Sequence, residues 1–374
     1  MKLVLLGEGT GEPSAGIDLV PALLDDPEIT YFVGVRRSPD GLDALAQPGA
    51  RIVTSMPGRG LARFRESLEY RRLSSFGLQR GFAAQCLAPD VAVVVASPPD
   101  GQGFRTLGTV NGPMQAALNA SRRIIVEEDP TLPILPGAAR VDPARIALVT
   151  AHRPLPYQAL SRAPDATDYR IAERVAALIG AGVTLQLGVG GAIEALGEAL
   201  KPHGGFRIIT GAVGASILHL EKSGKLAADA PILASALVGD EEVIDWASSH
   251  KALRLLGSDR IHNPRWLART PRLWSINVGI SVDHAGNINS EYAGSRLVSG
   301  RGGAPNFAAG AHASPGGGVI VIIRGDRPEN LARHIARPTI SGRNVDFVVS
   351  ENGVADLRDA QGDNRRRRLE NIFG

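Results

Sequence analysis

Five short stretches in the first third of the chain are dominated by apolar residues with little polar alternation: KLVLL at 2–6, ITYFVGV at 29–35, RIVTS at 51–55, DVAVVVAS at 90–97 and RRIIVEE at 122–128. A strand with one face in water alternates apolar and polar side chains, whereas a strand covered on both faces does not. These runs therefore predict a parallel sheet enclosed by helices. DLVPALLDD at 18–26 and MQAALNAS at 114–121 supply helical stretches between them. Strand and helix alternating in this way predict a doubly wound α/β domain.

A polar, proline-bearing stretch, HRPLPYQALSRAPDATD from His152 to Asp168, then interrupts the pattern and is the best domain boundary. After it, IAERVAALIGAG places Ile171, Ala172, Val175, Leu178 and Ile179 on one helical face and ends in glycines, a normal helix stop. Strand and helix then alternate again. At 374 residues the chain exceeds the size at which a single core stops growing. The expectation is two similar doubly wound α/β domains with mainly parallel sheets, spanning 1–160 and 168–374.

Hydrophobic residues make up 44% and charged residues 21% of the chain, the balance of a folded globular protein. The net charge is only +3, which argues against a nucleic-acid binder carrying a dominant positive field. Only five of the 41 basic residues are lysines. Arginine suits bidentate phosphate contacts, although a coding bias accounts for the same count. Cys86 is the only cysteine, which rules out an intrachain disulfide and a cysteine-rich metal site and points to a reducing, cytoplasmic setting. The first apolar run, LVLL, is broken at once by GEGTGEP, too short and polar for a signal peptide. The run VAVVVA at 91–96 is too short to span a bilayer.

The segment VTLQLGVGGAIEALGEALKPHGGFRIITGAVG, Val183 to Gly214, reads as strand, glycine loop, helix and second strand. Glycines in the loop, Gly188, Val189, Gly190 and Gly191, allow close backbone approach to a ligand. The helix starting near Ala192 presents free N–H groups to an anion, although a tight turn accounts for the same glycines. The loop is not a dinucleotide fingerprint, because three residues after Gly190 stands Ile193. A second glycine cluster, SGRGGAPNF, carries Gly300, Arg301, Gly302 and Gly303 between NSEYAG and the strand GVIVIIRG. Its backbone is suited to donating N–H groups to a polarised carbonyl. A third motif, SPPDGQGFRTLG with Asp100 and Gly101, follows the strand DVAVVVA. That is where ligands bind in open α/β sheets, and it is also the pattern of an Asp-Gly turn. GEGTGEP is a similar loop after the first strand. There is no G-x-S-x-G elbow, no Walker loop and no H-E-x-x-H.

Together with NVGISVDHAGNINSEYAG (Asn277 to Gly294), SGRGGAPNFAAGA (Ser299 to Ala311) and SENGVADL (Ser350 to Leu357), these segments resemble the acetyl-CoA hydrolase/transferase family. That family is a branch of the family I CoA-transferases. The matches run collinearly from near Gly7 to near Leu357. The resemblance implies two α/β domains with the active site between them, and coenzyme A as part of the substrate. It also implies a ping-pong reaction in which a glutamate attacks an acyl-CoA and then holds CoA as a glutamyl thioester until a small carboxylate takes it. Gln186 matches the family pattern, and the SGRGG loop is the one that faces CoA and the acyl group. Arg301 stands where the family more often has a small or polar residue. It reads either as a contact to an anionic substrate group or as a surface arginine.

Aligned through HLEKSG at 219–224, the family's glutamate position is Gly211, and no acidic residue lies between Glu198 and Glu221. Glu127 and Glu291 match acidic positions of the family and read as general bases or as hydrogen-bonded structural carboxylates. Glu351 lies in SENG, the string that bears the nucleophile in two-chain CoA-transferases. Here it comes some 160 residues after the GVG loop and matches the family's own TE-G-VA-L segment, so it reads as a structural or positioning acid, with a directly catalytic carboxylate as the alternative. The family continues with a helical segment that this sequence lacks. NRRRR at 364–368 reads as a solvated helix face, with CoA phosphates as the alternative partner.

The expected function is an enzyme on acyl-CoA thioesters of CoA-transferase or acyl-CoA hydrolase type. Its mechanism uses water or acid–base chemistry in thioester hydrolysis, or in hydration or cleavage of a neighbouring carbon–carbon bond. The alternatives are a conventional carboxylate CoA-transferase with its glutamate elsewhere, and a non-catalytic CoA-ester-binding protein. No metal, nucleic acid or membrane partner is expected, and a homodimer or higher homo-oligomer is.

Overall fold

The structure, a computed structural model, describes residues 2–26, 28–156 and 162–373. Residues 157–161, inside the boundary stretch, lie outside the described residues. The chain forms two compact units. The first comprises Met1–Ala159, Ser235–Asp259 and Val298–Gly302; the second comprises Leu160–Ala234, Arg260–Leu297 and Gly303–Gly374.

In the first unit the strands are β1 (Lys2–Leu6), β2 (Ile29–Val33), β3 (Ala50–Thr54), β4 (Glu69–Tyr70), β5 (Val91–Ala96), β6 (Arg123–Glu128) and β7 (Ile146–Ala151). They form a sheet ordered β4-β3-β2-β1-β5-β6-β7, with every neighbouring pair parallel. The continuous apolar runs have the predicted cause. Leu5, Ala92, Val94, Ile124 and Val126 pack into a core on one face, and Val4, Leu6, Val91, Val93 and Ile125 into a core on the other. Helices α1 (Val20–Leu24), α2 (Ser75–Ala83) and α3 (Met114–Ala120) accompany the sheet. Within DLVPALLDD the helix is shorter than the sequence pattern predicts, because Asp25 turns into the left-handed region with φ 48°. β7 was not among the predicted runs. It is an edge strand with Leu148 and Val149 exposed.

Strand order reverses between β1 and β5, which pair directly through Val4 and Val91. GEGTGEP and SPPDGQGFRTLG leave the C-terminal ends of these two strands, so both emerge at the switch point where open α/β sheets bind ligands.

The second unit opens with α4 (Ala166–Leu178), started by a capping box: Asp165 accepts from the Asp168 backbone N–H, and Asp168 accepts from that of Asp165. Ile171, Ala172 and Val175 are fully buried on the predicted face. There follow β8 (Thr184–Leu187), α5 (Gly191–Ala199), β9 (Arg207–Val213), α6 (Ala215–Lys222), β10 (Leu273–Val278), α7 (Ala304–His312), β11 (Gly318–Ile322), β12 (Phe347–Ser350), β13 (Gly353–Asp356) and α8 (Gly362–Phe373). These strands order as β9-β8-β10-β11-β12-β13, parallel except for the closing β12–β13 pair. The reversal here falls between β8 and β10.

Candidate functional site

Adjacent strands of the second unit bring the site residues together at their C-terminal ends. In β8, Gln186 is buried, and its register partner on β10 is Ser275. Gln186 Oε1 accepts hydrogen bonds from Ser275 Oγ at 2.6 Å and Asn277 Nδ2 at 2.9 Å, and Asn277 Nδ2 also donates to Ser275 Oγ at 3.0 Å. A buried amide is stable only when its polar atoms are satisfied. This network therefore locks β8 to β10 at the switch point and fixes the base of the glycine loop. The loop needs its glycines. A Cβ on Gly188 would lie 2.8 Å from Asn277 Oδ1, and Gly190 has φ 142°, a conformation L side chains rarely adopt. Val189 at the tip is exposed, and Gly190 caps α5, with Ile193 and Glu194 donating back to its carbonyl. Gly191 lies against Asp168, which pairs with Arg162 at 2.7 Å.

Gly211, on β9, has different surroundings. It is partly exposed and outside the left-handed region. A Cβ there would meet only His262 Nε2 at 3.4 Å and Phe307 Cε2 at 3.6 Å, both ordinary contacts. Neither backbone conformation nor crowding demands a glycine. His262, in the turn before Pro264–Leu267, is 5% exposed. Its ring packs edge-on against Phe307 of α7, with centroids 5.1 Å apart. Gly303, the residue capping α7, lies beneath the same ring, and a Cβ on it would come within 2.4 Å of His262 Cδ2. Burial pushes the His262 pKa down to about 3, so the imidazole is neutral at physiological pH.

The predicted acids are held by hydrogen bonds. Glu291 is buried and accepts from Thr339 Oγ1 at 2.7 Å. Glu351 accepts from the Gly325 backbone N–H at 2.9 Å. In the first unit, Glu127 is fully buried. It accepts from the backbone N–H groups of Ser14 and Gly16 at 2.6 and 2.8 Å and contacts His152 Nδ1 at 2.9 Å, tying the loop after β1 to β6. Glu8 in the same loop, not singled out from the sequence, accepts from the Val35 N–H, and burial raises its pKa. Asp100 accepts from the backbone N–H groups of Gln102 and Phe104, both at 2.9 Å, closing a turn around Gly101, and pairs with Arg140. The backbone bonds, led by Gln102, and then Arg140 keep its carboxyl below the usual range. Gly300, Arg301 and Gly302 fall in the first unit. Gly300 is packed against the Ser55 carbonyl, where no side chain fits. From NRRRR, Arg365 donates to the carbonyls of Leu357 and Gly342, and Arg368 to that of Asp356, while Arg366 and Arg367 face solvent.

Residues 239–373 match the profile of the acetyl-CoA hydrolase/transferase C-terminal domain. The chain as a whole is similar to the 4-hydroxybutyrate coenzyme A transferase of Clostridium kluyveri, at 27% identity over 99% of this chain and 90% of that protein. The family likeness thus lies in residues 239–373, and the likeness to a CoA transferase runs along the whole chain. Two solved structures share this fold. RipA from Yersinia pestis has a TM-score of 0.88 at 21% identity, covering 100% of this chain and 91% of that one. The 4-hydroxybutyrate CoA-transferase from Porphyromonas gingivalis has a TM-score of 0.79 at 21% identity, covering 100% and 90%. No helix among the described residues is long and apolar enough to cross a membrane. Among the same residues, no group of three His, Cys, Asp or Glu side chains is placed to hold a metal ion.

Ser275, Asn277, His262 and Phe307 were not singled out in the sequence. Asn277 and Phe307 lay inside quoted motifs, whereas His262, in IHNP, carried no motif signal.

Proposed function

We propose that this protein acts on an acyl-CoA thioester by direct attack of water and forms no glutamyl-CoA intermediate. The observation that carries the reading is Gly211. It stands where alignment puts the family's glutamate, its surroundings would admit a side chain, and no acidic residue lies between Glu198 and Glu221. In the reaction the water oxygen bonds to the carbonyl carbon, the carbon–sulfur bond breaks, and the products are a carboxylic acid and CoA as its thiol. The GVGG loop and the N-terminus of α5 supply N–H groups suited to the developing oxyanion, and the Gln186 network supports that loop. Arg301 is proposed to face an anionic group of the substrate. Glu291, Glu351 and Glu127 are read as positioning acids because each accepts hydrogen bonds from neighbouring groups. A cytoplasmic setting and a homo-oligomer belong to the same proposal. The relatives' names motivate the assay panel, which includes 4-hydroxybutyryl-CoA and succinyl-CoA.

The test incubates the protein with acetyl-, butyryl-, 4-hydroxybutyryl- and succinyl-CoA, with and without acetate. Release of free CoA without acceptor is expected, and borohydride or hydroxylamine should trap no adduct. Detection by mass spectrometry of CoA on any glutamate would overturn the reading in favour of a conventional transferase. Tight binding without product would overturn it in favour of a binding module.

A further inference from the structure

Helices α2 and α3 of the first unit pack against each other and together line a cavity of about 440 Å3, within the size range of small-molecule sites. From α2 come Gln79, Phe82 and Ala83, which share one helical face. From α3 come Gln115, Ala116 and Asn119. Two loops distant in the chain complete the wall. Gly112 and Gly257 form a parallel bridge, the Ser258 N–H donates to the Gly112 carbonyl at 2.8 Å, and Asn111 and Asp259 line the cavity beside them. All of these residues belong to the first unit, and none is a residue of the site described above.

The polar atoms left over are acceptors. Asn111 Nδ2 donates to the Gly137 carbonyl at 2.7 Å, which fixes the amide and turns Oδ1 away. That oxygen is buried without a hydrogen-bond partner, and so is Gln79 Oε1. Gln115 is fully engaged: it accepts from the Arg140 N–H at 2.9 Å and donates to the Arg140 carbonyl and to Asn119 Oδ1, both at 3.1 Å. Asp259 is exposed and makes no side-chain hydrogen bond or ion pair among the described residues. A Cβ on Gly257 would strike Asp259 Oδ1 and lie 3.5 Å from Asn111 Oδ1, so carboxylate and amide oxygen face one small space. Gly257 keeps that space open although its backbone is outside the left-handed region. Asp259 is the only charged residue among the described residues of the lining, in a chain with 41 lysines and arginines. Acceptors and a carboxylate with no basic neighbour disfavour phosphates and carboxylates and favour a positively charged donor. Phe82, Ala83 and Ala116 add an apolar wall suited to a short alkyl chain.

We propose that this cavity binds a small primary alkylammonium compound. Its N–H groups donate to Asp259 and Asn111 Oδ1, with Gln79 Oε1 as a further acceptor, and its alkyl part lies against Phe82, Ala83 and Ala116. The site is independent of the thioester reaction proposed above.

The experiment titrates the full chain calorimetrically with n-butylammonium and 1,4-diaminobutane, and with 1-butanol as the neutral isostere. Both amines are expected to bind, with 1-butanol about tenfold weaker or more, the scale of a lost charge-assisted hydrogen bond. Asp259→Asn keeps the shape and removes the charge, so it should weaken both amines about tenfold and leave 1-butanol unchanged. Ala83→Leu, at the exposed end of α2, narrows the cavity and should weaken all three. Equal affinity for n-butylammonium and 1-butanol would overturn the proposal. So would amine binding that Asp259→Asn leaves at the wild-type value, or the absence of binding by either amine. A protein that hydrolyses no acyl-CoA yet binds the amines would overturn the reaction and leave this site standing.

Discussion

At residue 211 the backbone is ordinary and the nearest atoms lie at van der Waals distance, so the position can be rewritten chemically. Gly211→Glu is expected to fold and to acquire a trappable glutamyl-CoA adduct together with acetate-dependent transfer. A folded variant that shows neither would mean that the strand end does not face the thioester. His262 makes a separate prediction about stability. Its folded pKa is depressed to about 3 by burial, below the value near 6.5 of an exposed histidine. Above pH 6.5 both folded and unfolded states are neutral at this residue and no difference arises. As pH falls below 6.5 the unfolded state takes up a proton that the folded state refuses, so stability is lost until the folded pKa is reached. Between pH 7.5 and 5 this single group is expected to remove about 2 kcal/mol. Urea denaturation of wild type and His262→Gln at both pH values checks it. An equal loss in the two proteins would show that His262 is not the group responsible.

The same reasoning at the level of elements explains why the glycine loop sits where it does. β8 and β10 are joined at the switch point both by backbone pairing and by the Gln186–Ser275–Asn277 network. Gln186→Leu would leave the Ser275 hydroxyl and the Asn277 amide without their shared acceptor, at a cost of about 2–3 kcal/mol. The loop above them would loosen, and acyl-CoA binding would weaken. Denaturation and isothermal titration with acetyl-CoA measure both effects, and a variant unchanged in both would show that the network is dispensable. The strands of the first unit were legible because burial on two faces imposes an apolar side chain at nearly every position, as Val91 through Ala96 demonstrate. The two-residue β4 and the half-exposed β7 carry no such imprint, and the early end of α1 depends on a left-handed Asp25 that propensity does not announce.

Across the whole molecule, similarity to a CoA transferase over 99% of the chain, the parallel α/β architecture and the glycine loops support the proposed recognition of a CoA thioester. Because a ligand that binds only the folded state adds RT ln(1 + [L]/Kd) to stability, acetyl-CoA at 100 times its Kd should stabilise the protein by about 2.7 kcal/mol. The corresponding rise in melting temperature is a direct measurement, and a flat response to every acyl-CoA in the panel would contradict CoA-ester binding. The sequence by itself determined the mainly parallel α/β class, the family resemblance, the glycine loops and the lack of an acid around residue 211, because each is written in contiguous residues. Only the tertiary structure decided that Gly211, His262, Gly303 and Phe307 share one place, and that Gln186 is held by Ser275 and Asn277. Those contacts join residues distant in the chain. Their positions depend on strand order and helix packing, for which a local stretch of sequence carries no periodic signal.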